Sequence, residues 1–263
     1  MTPARSSLRG QTALVTGATS GIGEATAHAL AEAGADLILV ARRAPELARV
    51  AGQLQERHGV KVGTLTLDVR DRAAIEQAIE ARPDLLSRVD ILVNNAGLAR
   101  GTDPLQKGDP ADWEEVIETN VLGLLAMTRA IVPHMVARGR GHIVNLGSTA
   151  GHWVYPGGAV YCASKHAVRA ITEGLRMDLH GSGVRVSSVD PGLVETNFSV
   201  VRFKGDKERA KKVYEGLQPL TPEDIADAIL WCVTRPAHVN IQDIVMMPVD
   251  QASVTMVHRR PTP

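Results

Sequence analysis

Tyr161 and Lys165 stand one helical turn apart in the run Tyr161-Cys162-Ala163-Ser164-Lys165, and positions i and i+4 of a helix share a face. A phenol titrates near about 10, too high for useful proton transfer at neutral pH. An ammonium beside it favours the phenolate and is expected to lower that value. Such a pair can take a proton from a hydroxyl or return one to a carbonyl oxygen. Taken alone, the spacing more often describes a surface pair. Upstream, however, Gly147-Ser148-Thr149 ends a strand-like run and offers a hydroxyl for the same oxygen, and Asn94-Asn95-Ala96-Gly97 ends another. Ser148 is not a hydrolase nucleophile, because the glycine two residues before the Ser of a nucleophile elbow is missing.

A second constellation lies near the start. Thr16-Gly17-Ala18-Thr19-Ser20-Gly21-Ile22-Gly23-Glu24 joins the first strand-like run to a helix-like one. Three glycines at a strand-to-helix turn let backbone approach a pyrophosphate, which the positive helix N-terminus attracts. The spacing, Gly-x-x-x-Gly-x-Gly, is one residue longer than the common dinucleotide fingerprint. At the end of the next strand-like run, where an acid would hold a ribose 2′-hydroxyl, the chain reads Leu39-Val40-Ala41-Arg42-Arg43. Guanidinium forks suit a 2′-phosphate better than a bare ribose, so the expected nucleotide is NADP.

Elements of regular spacing must position these groups. Strands are expected near Thr12–Thr16, Asp36–Val40, Val62–Leu67, Asp90–Val93, His142–Leu146, Val184–Val189 and Asp243–Pro248. Helices are expected over 22–33, 45–57, 71–81, 111–137, 160–180 and 222–234. The strands are nearly continuous apolar runs, as in a parallel sheet with helices on both faces, and the alternation implies one doubly wound α/β domain spanning 1–263. Residues 193–220 break the rhythm as a polar, charged insertion, expected to form a substrate lid. Thr221, with Pro222 and the acids Glu223 and Asp224 behind it, reads as a helix N-cap.

The 263 residues are 44% hydrophobic and 22% charged, enough for a sizeable core, with a formal net charge of zero that favours neither nucleic acid nor an anionic membrane. Met1 to Gln11 contain no apolar run of the kind a signal peptide needs. No uninterrupted apolar stretch approaches the roughly 20 residues of a membrane span; Val121–Met135, interrupted by polar neighbours, reads as a buried helix or a subunit interface. Two cysteines, Cys162 and Cys232, do not make a disulfide framework, and the expected compartment is the cytoplasm. No metal site is expected: Cys162 and His166 are one turn apart, but no third ligand joins them. Of the nine histidines, none is required for the chemistry, and His134, His142 and His180 read as helix-end or turn groups.

Over essentially its full length the chain resembles the short-chain dehydrogenase/reductase family. The resemblance is carried by Thr16–Gly23, Asp68-Val69, Asn94–Gly97, Asn120, Ser148, Tyr161-x-x-x-Lys165 and Pro191-Gly192 with Thr196. It implies a seven-stranded Rossmann sheet, an assembly of the homotetramer type (a dimer of dimers), and a hydride transfer with a nicotinamide. It also implies that Tyr161 is the general acid/base and that Lys165 lowers its pKa while binding the nicotinamide ribose. Ser148 would orient the substrate oxygen, and Asn120 would support a water-linked proton relay to Lys165. The implied cofactor contacts are Gly17, Thr19, Ser20, Gly21, Ile22, Gly23, Arg42, Arg43, Asp68, Val69, Asn95, Ala96, Gly97, Tyr161, Lys165, Pro191, Gly192, Val194 and Thr196. Within that set Asn95 faces the adenosine and ribose.

Ser199–Asp206 and Leu220–Gln251 look like one subgroup, the NADP-dependent 3-hydroxy acid dehydrogenases, also described as serine or L-allo-threonine dehydrogenases. The implied substrate is a small 3-hydroxy acid of the serine, allo-threonine, 3-hydroxyisobutyrate or 3-hydroxypropionate type. The chain departs from the subgroup at His152 and Val154-Tyr155-Pro156, and at Asn197, where an acid is expected. The alternatives are a carbonyl reductase for 3-oxoacyl or ketone substrates and a catalytically silent NADP-binding regulator. The joint presence of Asn120, Ser148, Tyr161 and Lys165 argues against the second. A substrate carboxylate needs a cation, and Arg202 or Lys204 in the insertion is expected to supply it. Trp153, with Tyr155, is expected to form an apolar wall.

Overall fold

The computed structural model describes residues 7–260. Its strands are β1 (Thr12–Thr16), β2 (Asp36–Ala41), β3 (Val62–Thr66), β4 (Val89–Asn94), β5 (Gly141–Leu146), β6 (Val184–Pro191) and β7 (Asp243–Met246). They form one parallel sheet in the order β3-β2-β1-β4-β5-β6-β7. The chain crosses over between β3 and β4, so the loops leaving β1 and β4 diverge and open a crevice at the carboxyl ends of the strands. Every chemical segment identified above leaves the sheet on that edge.

The apolar runs are explained by the alternation of side chains across a sheet covered on both sides. In β1, Ala13 and Val15 face one core and Leu14 the other; in β2, Leu37 and Leu39 part from Ile38 and Val40 in the same way. One core is closed by α1 (Gly21–Glu32), α2 (Ala44–His58) and, from the far end of the chain, a helix over Pro222–Val233. The other is closed by α3 (Arg72–Ala81), α4 (Pro83–Leu86) and residues of the long run Pro110–Arg138. That run is long and apolar enough to cross a membrane. In the fold its Met127, Ile131 and Met135 are buried against Leu14, Leu92 and Ile143 of the sheet.

The run expected as one helix is three segments: α5 (Pro110–Ile117), a π-helical turn over Glu118–Gly123, and α6 (Leu124–Arg138). The wide turn is invisible to a 3.6-residue pattern, and π-turns concentrate at functional sites. It contains Asn120. Helix α7 (Ala159–Asp178) carries Tyr161 and Lys165. Residues 193–220 hold two short helices, α8 (Phe198–Arg202) and α9 (Lys207–Lys212). The last helix, α10 (Pro222–Val233), opens on a capping box: Thr221 Oγ1 accepts from the Asp224 amide at 3.3 Å, and Asp224 Oδ2 accepts from the Thr221 amide at 2.8 Å. β7 stops at Met246, short of the expected Pro248, where a residue without an amide hydrogen cannot extend the ladder.

His142 corrects the expectation of a helix-end or turn group. It lies in β5, 1% exposed, with Nε2 2.8 Å from Ser187 Oγ. Burial, helped by the nearby Arg185 charge, pushes its pKa down to about 3, so it is neutral at physiological pH.

Candidate active site

A cleft of about 570 Å³ runs along the carboxyl edge of the sheet, from Arg42 and Arg43 at one end to Tyr155, Phe198 and Arg202 at the other. At its centre Gly17 and Gly21 have φ of +66° and +55°, the left-handed region open to glycine. Gly23 matters through packing: a Cβ there would overlap the Gly17 carbonyl oxygen and Asn95 Nδ2. The turn is braced from behind. Asn95 Nδ2 donates to the carbonyls of Thr16 (2.8 Å) and Gly17 (3.3 Å), while Thr16 Oγ1 accepts from the amides of Asn95 and Ala96. Asn95 lines the cleft, and its Nδ2 shapes the glycine turn. The Ser20 side chain makes no bond to the first turn of α1, which leaves its hydroxyl beside the unsatisfied amides of that helix end. The glycine cradle and these donors fit a pyrophosphate.

At the end of β2, Arg42 and Arg43 are more than half exposed; Arg43 Nη2 donates to Thr19 Oγ1 at 3.2 Å, and Arg42 lies 3.7 Å from Asp68. Burial works against the Asp68 carboxylate, yet hydrogen bonds from the Arg70 side chain and amide hold its pKa below the ordinary value. Two guanidiniums at the mouth of the adenosine end fit a 2′-phosphate. Thr19, Ser20, Gly21, Ile22, Val69, Ala96, Gly97, Pro191, Gly192, Val194 and Thr196 also line the cleft.

The reacting end is built by three elements. Ser148 leaves β5, where its Oγ accepts from the Ala150 amide at 3.1 Å and lies within hydrogen-bond reach of the Tyr161 phenol. Lys165, 7% exposed, donates through Nζ to the Leu146 carbonyl at 2.7 Å and lies 6.0 Å from the centre of the Tyr161 ring. Asn120 Oδ1 accepts from the Leu98 amide at 2.8 Å; its Nδ2 donates to the Leu98 carbonyl (2.8 Å) and to Ser164 Oγ (3.0 Å). Its side chain therefore ties the π-turn to α7 and to the loop after β4.

The electrostatics differ from the expectation that Lys165 depresses the Tyr161 pKa. Burial pushes the Tyr161 phenol up to about 12, and the cation opposing this is Arg202, whose Cζ lies 5.1 Å from the ring centre. Lys165 is itself pushed down to about 8 by burial, with Asp190 working the other way. Desolvation outweighs attraction where the low-dielectric wall encloses the phenol.

Asp190 is a group the sequence pattern hid. An acid just before Pro191-Gly192 reads as a loop residue, yet it is 2% exposed in β6, with Oδ2 2.6 Å from His152 Nε2 and Oδ1 bonded to the Ser188 hydroxyl. The departure at His152 supplies its partner.

Of the expected substrate contacts, Arg202 lines the cleft and donates to the Tyr155 hydroxyl at 2.8 Å. Its Nε is buried without a hydrogen-bond partner. Lys204 is corrected: it is exposed on the outside, 2.9 Å from Asp112 and 4.0 Å from Asp109, because the chain turns sharply there with φ +52° and two acids at the start of α5 capture the ammonium. Trp153 is corrected too. The 3₁₀ turn at Thr149–Gly151 carries it outward to 43% exposure beside His152, and Tyr155 takes its place in the wall.

The family model for short chain dehydrogenases matches residues 11–207, and the chain belongs to that family. Among its relatives, the NADP-dependent 3-hydroxy acid dehydrogenase of Salmonella typhi is 52% identical over 248 residues, covering 94% of this chain and 98% of the relative. Sulfoacetaldehyde reductase 2 of Chromohalobacter salexigens is 48% identical over 240 residues, covering 91% of this chain and 94% of the relative. The closed form of serine dehydrogenase complexed with NADP+ superposes with a TM-score of 0.88 at 48% identity, covering 95% of this chain and 100% of that one.

Proposed function

We propose that the chain is an NADP-dependent oxidoreductase that interconverts the 3-hydroxyl group of a small 3-hydroxy acid and the matching carbonyl, with Tyr161 moving the proton. The observation that carries the substrate class is Arg202. Its guanidinium sits over the Tyr161 ring, is held by Tyr155, and keeps a buried Nε–H without an acceptor. A buried charged N–H without an acceptor is costly unless an anion completes it. A carboxylate bound there would lie at the Tyr161 end of the cleft.

NADP, when bound, supplies the two-electron acceptor for the hydride leaving C3. The glycine turn, the Ser20 hydroxyl and Arg42 with Arg43 would hold its phosphates. In the oxidative direction Ser148 holds the substrate oxygen, the Tyr161 phenolate takes the hydroxyl proton, and the C3–O bond becomes a carbonyl as C3–H departs. In reverse the phenol returns that proton. Lys165, protonated at neutral pH and tied through Nζ to the Leu146 carbonyl, is the group we assign to the nicotinamide ribose. Asn120 serves the relay by bracing it, locking α7 to the Leu98 loop through bonds that use both hydrogens of its Nδ2. Residues 193–220 act as the lid that brings Arg202 over the site. A homotetramer suits the exposed Leu122, Leu125, Trp231 and Val245.

A reductase for anionic aldehydes is the second reading, favoured by the sulfoacetaldehyde reductase among the relatives. The deciding experiment is an NADPH-formation screen across serine, allo-threonine, 3-hydroxyisobutyrate and 3-hydroxypropionate, with secondary alcohols as controls and NADPH-dependent reduction of sulfoacetaldehyde in parallel. Turnover of the hydroxy acids above the uncharged alcohols is expected. Turnover of the alcohols alone would overturn the carboxylate assignment.

A further inference from the structure

Arg202 is the last residue of α8, a helix of five residues. A helix so short cannot hold itself in place, so the position of Arg202 must be imposed from outside. Two hydrogen bonds from the loop after β4 do this. Arg100 Nη1 donates to the Val201 carbonyl at 2.6 Å, and the Gly101 amide donates to the Arg202 carbonyl at 2.9 Å. The Arg100 guanidinium is in turn fixed in two-pronged fashion by Glu115 on α5, Nε to Oε2 at 2.6 Å and Nη2 to Oε1 at 3.0 Å, with both side chains largely buried. A planar fork held on two edges keeps its remaining N–H aimed at one point. Helix α5 packs against α7, which carries Tyr161.

We propose that Arg100 and Glu115 are positioning residues for substrate specificity, setting the distance between the Arg202 guanidinium and Tyr161 by pinning the end of α8. This rests on the reading of Arg202 as the carboxylate ligand. Neither residue touches the cleft chemistry; they act through the Val201 carbonyl. The further ties of the lid, Arg209 to Thr102 of the same loop at 2.7 Å and Lys204 to Asp112 of α5, involve solvent-exposed cations and are correspondingly weak.

The test is steady-state kinetics of Arg100→Leu, Arg202→Ala and the double variant on the best 3-hydroxy acid of the screen, with NADPH binding followed by fluorescence. Arg100→Leu is expected to raise KM for the acid about tenfold, with kcat and NADPH affinity held within about twofold, the pattern of lost ground-state binding. It should add nothing in the Arg202→Ala background. Glu115→Gln, which keeps the size and one acceptor oxygen, should raise KM in the same direction but less, and decides the matter if the leucine variant does not fold. If Arg202→Ala raises KM and the two pinning variants leave it unchanged, the pinning role is wrong and the carboxylate reading stands. If Arg202→Ala itself leaves KM unchanged, that reading fails and the pinning role with it. Additive losses, or an equal fall in kcat and NADPH affinity, would mark Arg100 as general scaffold and overturn the proposal.

Discussion

Tyr161 works against its own burial. With the phenol pushed up to about 12, the neutral form dominates at neutral pH, so in the proposed reaction the group would be ready as an acid for carbonyl reduction and scarce as a base for alcohol oxidation. The phenolate fraction grows about tenfold per pH unit below that pKa. The rate of oxidation should therefore climb between about pH 6 and 8 while the rate of reduction stays flat, as measured by kcat in each direction. Oxidation that is flat across that interval would show that the phenol is already ionised in the working complex. At the other end of the cleft, Arg42→Ala with Arg43→Ala should raise KM for NADP by about tenfold or more and leave KM for NAD nearly unchanged, each lost contact being a charge-assisted hydrogen bond to phosphate. An equal change for both nucleotides would place the guanidiniums outside the phosphate site. Tyr161 and Lys165 were legible because the proposed chemistry needs those types at helical spacing, and Ser148 because it offers a hydroxyl just beyond a strand end. Asp190 was not, since a single acid at the end of an apolar strand looks the same whether solvated or buried against a histidine.

At the scale of elements, the strands were readable because both faces of the sheet are buried, which leaves apolar runs such as 37–41 in β2. The glycine turn was equally readable, and its structural basis now makes a sharp prediction. Gly23→Ala would set a methyl group into the Gly17 carbonyl and the Asn95 amide, forcing α1 away from β1. The expected cost is about 1–3 kcal/mol of stability, with NADPH affinity reduced at least about tenfold; thermal unfolding and fluorescence titration measure the two. Unaltered NADPH binding would mean that the turn does not shape the nucleotide site. The lid helices α8 and α9 escaped the sequence pattern, because five or six residues are too few to show a period. The π-turn at Glu118–Gly123 escaped for the opposite reason, being embedded in an apolar run that reads as one helix.

The whole molecule presents apolar side chains that its own fold does not cover: Leu122 and Leu125 around the start of α6, Trp231 on α10 and Val245 on β7. Two such faces on one chain suit a dimer of dimers, and light scattering of the purified protein should give the mass of four chains; a monomer at micromolar concentration would contradict that assembly. In the proposed reaction the two ends of the cleft act together: electrons go to a phosphorylated nicotinamide dinucleotide while Tyr161 carries the proton of a 3-hydroxy acid. This is tested most directly by comparing NADPH formation from 3-hydroxypropionate or serine by the unaltered protein and by Tyr161→Phe, with NADPH binding measured on both. Tyr161→Phe is expected to lower kcat by about 10²–10⁴-fold, the usual worth of a positioned acid/base, and to bind NADPH as before. Turnover that survives the loss of the phenol hydroxyl would contradict it.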